Sequence, residues 1–467
     1  MVYTRACGWA LGTALAAATA SAHAQDAVAP RAVTLQEARN YAHDHQPSLR
    51  AAIARIAAAK ADAEVPRAQW YPQLGATAQI FLGSANNTTA QYLGSPAVDI
   101  PRIGASKGVN AATMSMTPYG STLGAIGLGQ EVFDFGRIAA QSAAADALVD
   151  VARHASDTTN LDVDFAVEES FYAVLAAKNV LDASQQAYDR TRTHRDFAKA
   201  GVASGMYPPI DLTRAEADLA RFDLGRIRAR GGVITAQALL AATVGAPDLM
   251  LDANGTLPAF RDVPTLQNAI DQAASRDPRV AEALAKVRAQ QAHTRAIFAE
   301  LRPDLSATAT FSGRAGGQEP SNGPTANADF NGWLPTIPNW DVGLVFTWPI
   351  YDATVVARGH ASEIKEAALR DDVQALKQAL TANVQRAFVN VEVARDALPA
   401  LERAATAAVA NYEQADARFK AGLGTSVELA DAEALRADTE IQLAIGKFEL
   451  ARARAALDRA IAEGLKK

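Results

Sequence analysis

The chain has 467 residues, of which 49% are hydrophobic, 6% aromatic and 21% charged. Alanine is the commonest residue, and so much alanine with so few aromatic residues favours long, closely packed helices over several compact cores. The formal net charge is −6 and the sequence has no basic stripe, which argues against nucleic-acid binding. The single cysteine excludes a disulfide framework and a multi-cysteine zinc site.

Residues 1–24 have the pattern of a secretory signal peptide. Arg5 supplies a short positive region, an apolar run follows, and residues 22–24 give the small-x-small cleavage pattern. The alternative is an amphipathic or buried N-terminal helix. Cys7 precedes the apolar run instead of following it, so we expect no lipid anchor. No later window holds eighteen apolar residues, and the sequence therefore predicts no transmembrane helix in the exported chain.

The rest of the chain contains an internal repeat. Thr34-Leu35-Gln36 reappears as Thr265-Leu266-Gln267, and several later positions correspond at the same or a similar offset. The matching pairs are Pro47 with Pro278, Pro72 with Pro303, and Phe133-Asp134 with Tyr351-Asp352. Such self-similarity predicts a tandem duplication with halves at 34–247 and 265–463, joined by a connector around 245–264.

Each half begins with helices and continues with a strand pair. A short helix (34–46 and 265–277) runs into a proline that suits the first turn of the next helix. The hydrophobic period then changes to two, a polar loop follows (83–120 and 313–339), and a second strand returns. The predicted apolar strand faces are Leu74, Ala76, Ala78, Ile80 and Leu82; Ile126, Leu128, Gln130 and Val132; Leu305, Ala307, Ala309 and Phe311; and Trp340, Val342, Leu344, Phe346 and Trp348.

After the strands comes the helical bulk of each half. Residues 136–207 contain no proline, and a helix of about 65 residues would extend about 98 Å. Pro399 is expected to bend or interrupt the second long helix, because it removes one backbone hydrogen bond. Gly201 and Gly422 are expected to end the two long helices at tight helical hairpins.

The strands have the length and alternation of outer-membrane strands. Trp340 and Trp348, at the two ends of one strand face, have the pattern of a membrane-interface girdle, although a soluble sheet packed on the helices is the alternative reading. Four strands cannot close in lipid, where open edges leave backbone groups unsatisfied. Closure then needs further copies of the chain; two would give eight strands and three would give twelve, and the sequence alone leaves both open.

The duplicated order of elements resembles the TolC family of outer-membrane efflux proteins over essentially the whole exported chain. The supporting segments are Thr34-Leu35-Gln36-Glu37-Ala38, Pro47-Ser48-Leu49-Arg50, Tyr71-Pro72-Gln73-Leu74, Pro349-Ile350-Tyr351-Asp352 and the tip from Gly422 to Glu428-Leu429. The resemblance implies a homotrimer with a twelve-stranded barrel in outer-membrane lipid, continued by a long α-helical barrel across the periplasm. It also implies a periplasmic adaptor and an inner-membrane pump of the RND or ABC type as partners.

The hairpin tips hold the candidate functional residues. By the resemblance, Glu428 and Asp431 would ring the periplasmic aperture, with Asp211 at the matching position of the first tip. The alternative for the first two is ordinary charge at a helix start. Gly201, Gly205, Gly422 and Gly424 are the predicted docking surface for the adaptor. Phe419 stands where the family uses a tyrosine hydroxyl, so a closed state must be held differently.

No catalytic pattern is present. The sequence has no nucleophile elbow, P-loop or HExxH motif, and His43 and His45 do not share a helical face as metal ligands would. We therefore expect a channel that is not an enzyme and has no cofactor or metal. The other class left open is a non-conducting exported helical scaffold that binds partners.

Overall fold

The computed structural model describes residues 31–84, 118–258, 262–316 and 337–463. The predicted signal peptide and most of the two predicted polar loops lie outside the described residues, although the flanking strands reach further into the loop segments than the sequence predicts. None of the described helices has the length and hydrophobicity needed to cross a membrane.

The same order of helices and strands occurs twice along the chain. The first set is β1 (Arg31–Val33), α1 (Leu35–His45), α2 (Pro47–Ala68), β2 (Gln73–Ser84), β3 (Pro118–Phe133), α3 (Arg137–Ala203) and α4 (Pro209–Val244). The second set is β4 (Leu251–Ala253), α5 (Leu266–Arg276), α6 (Pro278–Ala299), β5 (Asp304–Gly316), β6 (Ile337–Thr347), α7 (Ala353–Lys420) and α8 (Ser426–Ala460).

The four long strands form one antiparallel sheet in the order β2-β3-β5-β6. Its register places Ile126 opposite Phe311 and Phe311 opposite Trp340, so the predicted apolar positions share one face. This face is open: Leu74 is 76% exposed and Trp340 is 78% exposed. The opposite face includes Ser312, which is almost fully buried. The period-two pattern therefore predicted the strand faces correctly.

Two details of the predicted strands are wrong. A register shift between Glu131 and Phe133 makes Val132 the extra residue of a bulge, so that Phe133, and not Val132, lies opposite Leu305. The sixth strand ends at Thr347, so Trp348 lies one residue beyond it.

Side-chain caps fix where several helices begin. Thr34 and Glu37 form a capping box at the start of α1, and Pro47 occupies the first turn of α2. Where the hairpins pass into the long helices, Asp134 and Asp352 play equivalent roles. Asp134 accepts hydrogen bonds from the N–H groups of Gly136 (3.0 Å) and Ile138, and Asp352 accepts one from the N–H of Thr354 (2.7 Å).

The helices next to the sheet lie side by side in the order α2, α3, α6, α7. With 67 residues, α3 extends about 100 Å. Its later part packs against α4 and α8, while α7 packs against α8. One buried core joins α1, α3, α4 and α8, and a second joins α5, α7 and α8. The molecule is therefore a long helical layer continuous with a four-stranded sheet.

Three further features differ from the sequence-based expectations. The helix α7 runs through Pro399, so of the two expected effects, a bend or an interruption, the interruption does not occur. The helix α3 continues past Gly201 and ends at Ala203. Within the connector, β4 pairs in parallel with β1 and joins the N-terminal strand to the junction between the halves. These strands have three residues each, too few for the sequence pattern to predict them.

Candidate functional site

Two helical hairpin turns lie together at one end of the molecule. We call residues 201–211 the first tip and residues 418–431 the second tip. Each turn contains a glycine in the left-handed backbone conformation, Gly205 (φ +75°) or Gly422 (φ +73°). Residues with a Cβ atom rarely adopt this conformation. Gly205, and not Gly201, is therefore the structural counterpart of Gly422.

Four aromatic rings join the two tips. Phe419 is only 3% exposed, and its ring stacks on Tyr207 with centroids 5.5 Å apart. Phe197 and His194 approach the same ring edge-on, with centroid distances of 5.9 Å and 5.0 Å. These residues, here called the tip aromatic cluster, bring side chains from α3, α7 and the first turn into one contact.

Gly201 makes room for this cluster. A Cβ atom placed on Gly201 would lie 1.9 Å from a ring carbon of Tyr207, so the glycine is covered by that ring and buried. It therefore does not belong to the exposed surface of the tips, contrary to the expectation for a docking residue. Cβ atoms on Gly205 and Gly422 would meet only open space, whereas one on Gly424 would lie 3.2 Å from the Arg418 Cβ.

A hydrogen bond also connects the tips. The Ser426 hydroxyl, at the start of α8, donates to Asp211 Oδ1 in the first turn of α4 at 2.7 Å. Ser426 is buried and Asp211 is half-buried. Asp211, expected as an aperture residue, is thus engaged within its own chain in this structure.

The other two acidic residues occupy different environments. The backbone N–H of Glu428 donates to Thr425 Oγ1 (3.2 Å), and Glu428 Oε2 accepts from the Thr425 N–H (3.4 Å), which makes a capping box. Arg418 Nη2 lies 4.0 Å from Glu428 Oε2. Glu428 therefore does serve as helix-start charge, although its side chain remains half exposed. Asp431 is exposed and makes no ion pair with a described residue.

His194 is a titratable group inside the tip contact. Its Nε2 atom is buried and has no hydrogen-bond partner among the described residues. Burial lowers the pKa of His194, while the negative charges of Asp218, Asp416 and Asp211 act in the opposite direction. The neutral imidazole therefore suits this packed environment.

A partly buried ion network lies behind the tips. Arg190 Nε of α3 donates to both carboxylate oxygens of Glu433 in α8, at 2.9 and 3.2 Å, and Arg190 Nη2 donates to Glu440 at 3.3 Å. Arg436 donates to the same Glu440 at 2.9 Å. The Tyr412 ring lies beneath both guanidinium groups, and burial raises the Tyr412 pKa to about 12. This network fixes α3 against α7 and α8.

Sequence reasoning missed Tyr207, His194, Ser426 and the Arg190 network. Their contacts join residues far apart in the chain, so spacing alone does not reveal them. The adjacent Pro208-Pro209 pair is the one local signal, since it forces an extended entry into α4 that directs Tyr207 back over α3. Within residues 31–84, 118–258, 262–316 and 337–463, the structure shows no cluster of His, Cys, Asp or Glu suited to a metal ion.

Comparison with known proteins places this geometry in context. A family profile described as "Outer membrane efflux protein" matches residues 38–246 and 269–463. Protein CyaE of Bordetella pertussis is 27% identical over 213 residues, a match that covers 46% of this chain and 40% of that protein. The chain thus spans about two fifths of the length of this curated relative.

Solved structures share the fold. The outer-membrane channel OprN gives a TM-score of 0.70 at 19% identity, with 92% of this chain and 90% of that chain covered. The CmeC outer membrane channel of Campylobacter jejuni gives a TM-score of 0.71 at 13% identity, with 92% and 86% covered. At these identities the likeness establishes the fold, including the hairpin sheet and the paired long helices.

Proposed function

Because the chain belongs to the outer membrane efflux protein family, we propose that it is a channel that acts as the exit duct of a tripartite efflux or type I secretion system. Family membership places it in the outer membrane. The observation that carries the channel assignment is the sheet, whose apolar face is exposed and whose edge strands β2 and β6 have no second partner strand among the described residues. In a bilayer those edges need pairing, and further copies of the chain supply it.

The helical layer supports closure by the same copies. Beside the sheet, α2 and α7 are the outer helices of the layer, and α7 and α4 are outermost near the tips. These outer helices carry exposed aliphatic side chains, which a neighbouring copy would cover. They are Ile53 and Val65 of α2, Leu224, Ile227, Ile234 and Leu239 of α4, and Ile364, Val389 and Val393 of α7. We propose the trimer, which gives a twelve-stranded barrel above a helical barrel.

In this assembly the tips form the periplasmic end of the duct. We propose that they meet a periplasmic adaptor, with Gly205 and Gly422 at the exposed turns, and that an inner-membrane pump supplies the energy. Gly424 lies in the same second turn. The chain itself performs no chemical step in this proposal, because its role is to conduct.

We further propose that the tip aromatic cluster and the Ser426–Asp211 hydrogen bond hold the closed state. Phe419 stands where the family uses a tyrosine hydroxyl, and its ring stabilises the contact by apolar burial and by stacking on Tyr207 instead of by a hydrogen bond. Three copies of Asp431, together with the half-exposed Glu428, then give a ring of negative charge at the aperture that attracts cations.

Single-channel recording in planar bilayers tests the channel and its aperture. The wild-type protein should conduct, and a trivalent cation added on the periplasmic side should block the current. The double substitution Glu428→Gln with Asp431→Asn should remove the block, whereas Asp44→Asn, on the exposed surface of α1, should leave it intact. Absence of conductance would favour the scaffold alternative, and an unchanged block in the double variant would show that these carboxylates only stabilise the helix start.

A further inference from the structure

A cleft with basic walls lies between α2, α3 and α6, far from the tips. Its volume is 660 Å³, within the range of small-molecule sites. Five basic residues line it: Lys60, Arg67, Arg153, Arg288 and Arg295. We call this feature the basic cleft.

The acidic side chains of the cleft already have partners. Arg67 bonds Glu64 at 2.6 Å and both carboxylate oxygens of Asp146 at 2.9 Å. Arg153 pairs with Asp150 at 2.8 Å, one turn along α3. Each carboxylate that lines the cleft is therefore paired, although Arg67 serves both Glu64 and Asp146, so these pairs leave one negative charge against the remaining cations.

Three cations remain without such a partner. Lys60 of α2 and Arg288 and Arg295 of α6 form no ion pair with any residue that the structure describes. The two arginines are seven positions apart, so they project from the same side of α6, about 10 Å apart along the helix. Lys60 faces them from the other wall. Unpaired positive charge thus comes from two helices that flank α3.

The floor of the cleft is apolar and is formed by small side chains. Ala63, Val149 and Ala292 line it and are buried. Ala143 and Ala147 of α3 complete the lining, and their short side chains leave the space open. An apolar floor with a positively charged rim matches a ligand that has both a hydrocarbon part and an anionic group.

We propose that the basic cleft binds a phosphate-bearing amphiphile, with the phosphate held by Arg288, Arg295 and Lys60 and the apolar part on the alanine floor. Guanidinium groups form charge-assisted, often bidentate hydrogen bonds to phosphate, and this explains two arginines on one helix face.

The position of the cleft suggests where such a ligand comes from. Arg295 lies four residues before the end of α6 at Ala299, about 6 Å along the axis, and β5 begins at Asp304. If the sheet lies in the outer membrane, as the proposed function requires, this end of the cleft is beside the periplasmic leaflet. The phosphate then belongs either to a phospholipid headgroup or to an amphiphilic phosphate in solution, two sources with the same chemistry.

Titration of the purified full-length protein with dodecyl phosphate, followed by native mass spectrometry and calorimetry, tests the site. Saturable binding is expected, and Arg288→Gln with Arg295→Gln should weaken it about tenfold for each guanidinium removed. The matched control is Arg228→Gln with Arg230→Gln, which removes the same charge from exposed positions of α4 and should bind as wild type. Unsaturable binding, or equal affinity in both double variants, overturns the proposal.

A second arm identifies the source of the phosphate. Protein reconstituted in nanodiscs of phosphatidylglycerol or phosphatidylcholine is released into detergent, and the co-purified lipid is counted. Retention of phosphatidylglycerol that the Arg288/Arg295 variant loses indicates a lipid site, whereas dodecyl phosphate binding without lipid retention indicates a dissolved ligand. Conductance is recorded on the same samples, so a failed cleft proposal with normal conductance stays distinct from failure of the channel assignment.

Discussion

The two tips occupy equivalent places in the repeat, yet they are built differently. In the second tip, Thr425 and Glu428 cap α8 with side-chain hydrogen bonds, so the turn is stabilised by its own residues. In the first tip, Pro208 precedes α4 without any side-chain cap. Its Tyr207 ring is placed over Gly201 and against Phe419.

This difference assigns unequal roles to the two halves. The second tip supplies Phe419 and Ser426, and the first tip supplies the surfaces that receive them. We therefore expect the first tip to depend on the second for its order, while the second tip keeps its capped helix start without the first. Duplication followed by such divergence gives a contact between unlike surfaces that can be broken from one side.

The largest expected effect comes from Phe419→Ala. Removing a buried phenylalanine costs about 3–5 kcal/mol, here from the packing of the tips against each other. Hydrogen exchange should accelerate at Gly205–Tyr207 much more than at the capped start of α8, and the open probability of the channel should rise.

Phe197→Ala is the matched control for that experiment. Phe197 belongs to the same cluster but is 40% exposed, so its removal should disturb the first tip less. Equal acceleration of exchange at both tips in the Phe419 variant would contradict the proposed dependence of the first tip on the second.

The sequence predicted most of the fold because local rules decide it. Alternation in the strands predicted the apolar face, and prolines in first turns, such as Pro47, marked helix starts. The bulge at Val132 was not predicted, since an inserted residue shifts the register of a strand without a distinct local sequence signature. Pro399 does not interrupt α7, because packing along a 68-residue helix holds the helix together around one missing hydrogen bond.

The candidate site was predicted only in part. The tips and their acidic residues followed from the repeat and the resemblance, and the aperture role of Glu428, Asp431 and Asp211 stays a prediction. The contacts of Phe419 with Tyr207 depend on two turns of unequal length, so a comparison of the halves misaligned Gly201 with Gly422. Tertiary contact, rather than residue spacing, decides that Gly205 forms the left-handed turn and that Gly201 lies under the Tyr207 ring.

A substitution at Gly201 tests the receiving surface directly. In Gly201→Ala the added methyl group overlaps the Tyr207 ring, and overpacking of this kind costs about 1–3 kcal/mol. Thermal denaturation combined with single-channel recording should show a destabilised tip and a channel that opens more often.

Gly225→Ala provides the reference for that variant. Gly225 lies within α4 with open space around its Cβ position, so alanine there should stabilise the helix by up to about 1 kcal/mol. If both alanine variants behave alike, Tyr207 does not require the space at Gly201, and the first tip is less constrained than its packing indicates.

Ser426→Ala should have a smaller effect. It removes the 2.7 Å hydrogen bond and leaves the half-buried Asp211 carboxylate without that donor, at a cost of about 1 kcal/mol. Asp211→Asn should be milder, because the amide oxygen still accepts from Ser426. Open probability in bilayers measures both, and a stronger effect of Asp211→Asn would indicate that the carboxylate charge matters more than the bond.

The smallest effect is expected from acidification, through His194. Its folded-state pKa is lowered by burial, so the packed tips favour the neutral ring and the separated tips bind the proton more readily. Closed-state stability from this group is therefore present above the ordinary histidine pKa of about 6.5 and declines as pH falls below it. Asp218 and Asp211 of α4, Asp416 of α7, and Arg190 and Glu433 beside the ring set the field that His194 experiences.

Open probability measured between pH 7.5 and 5 should rise in the wild type and stay nearly flat in His194→Gln. Burial raises the pKa of Glu433, so the His194→Gln variant also separates the response of His194 from that of this carboxyl group. Phe197→Ala keeps His194 and should retain a pH response. A response that persists in His194→Gln would assign the acid sensitivity to other groups, and the two tips would then be held together without a titratable side chain in their contact.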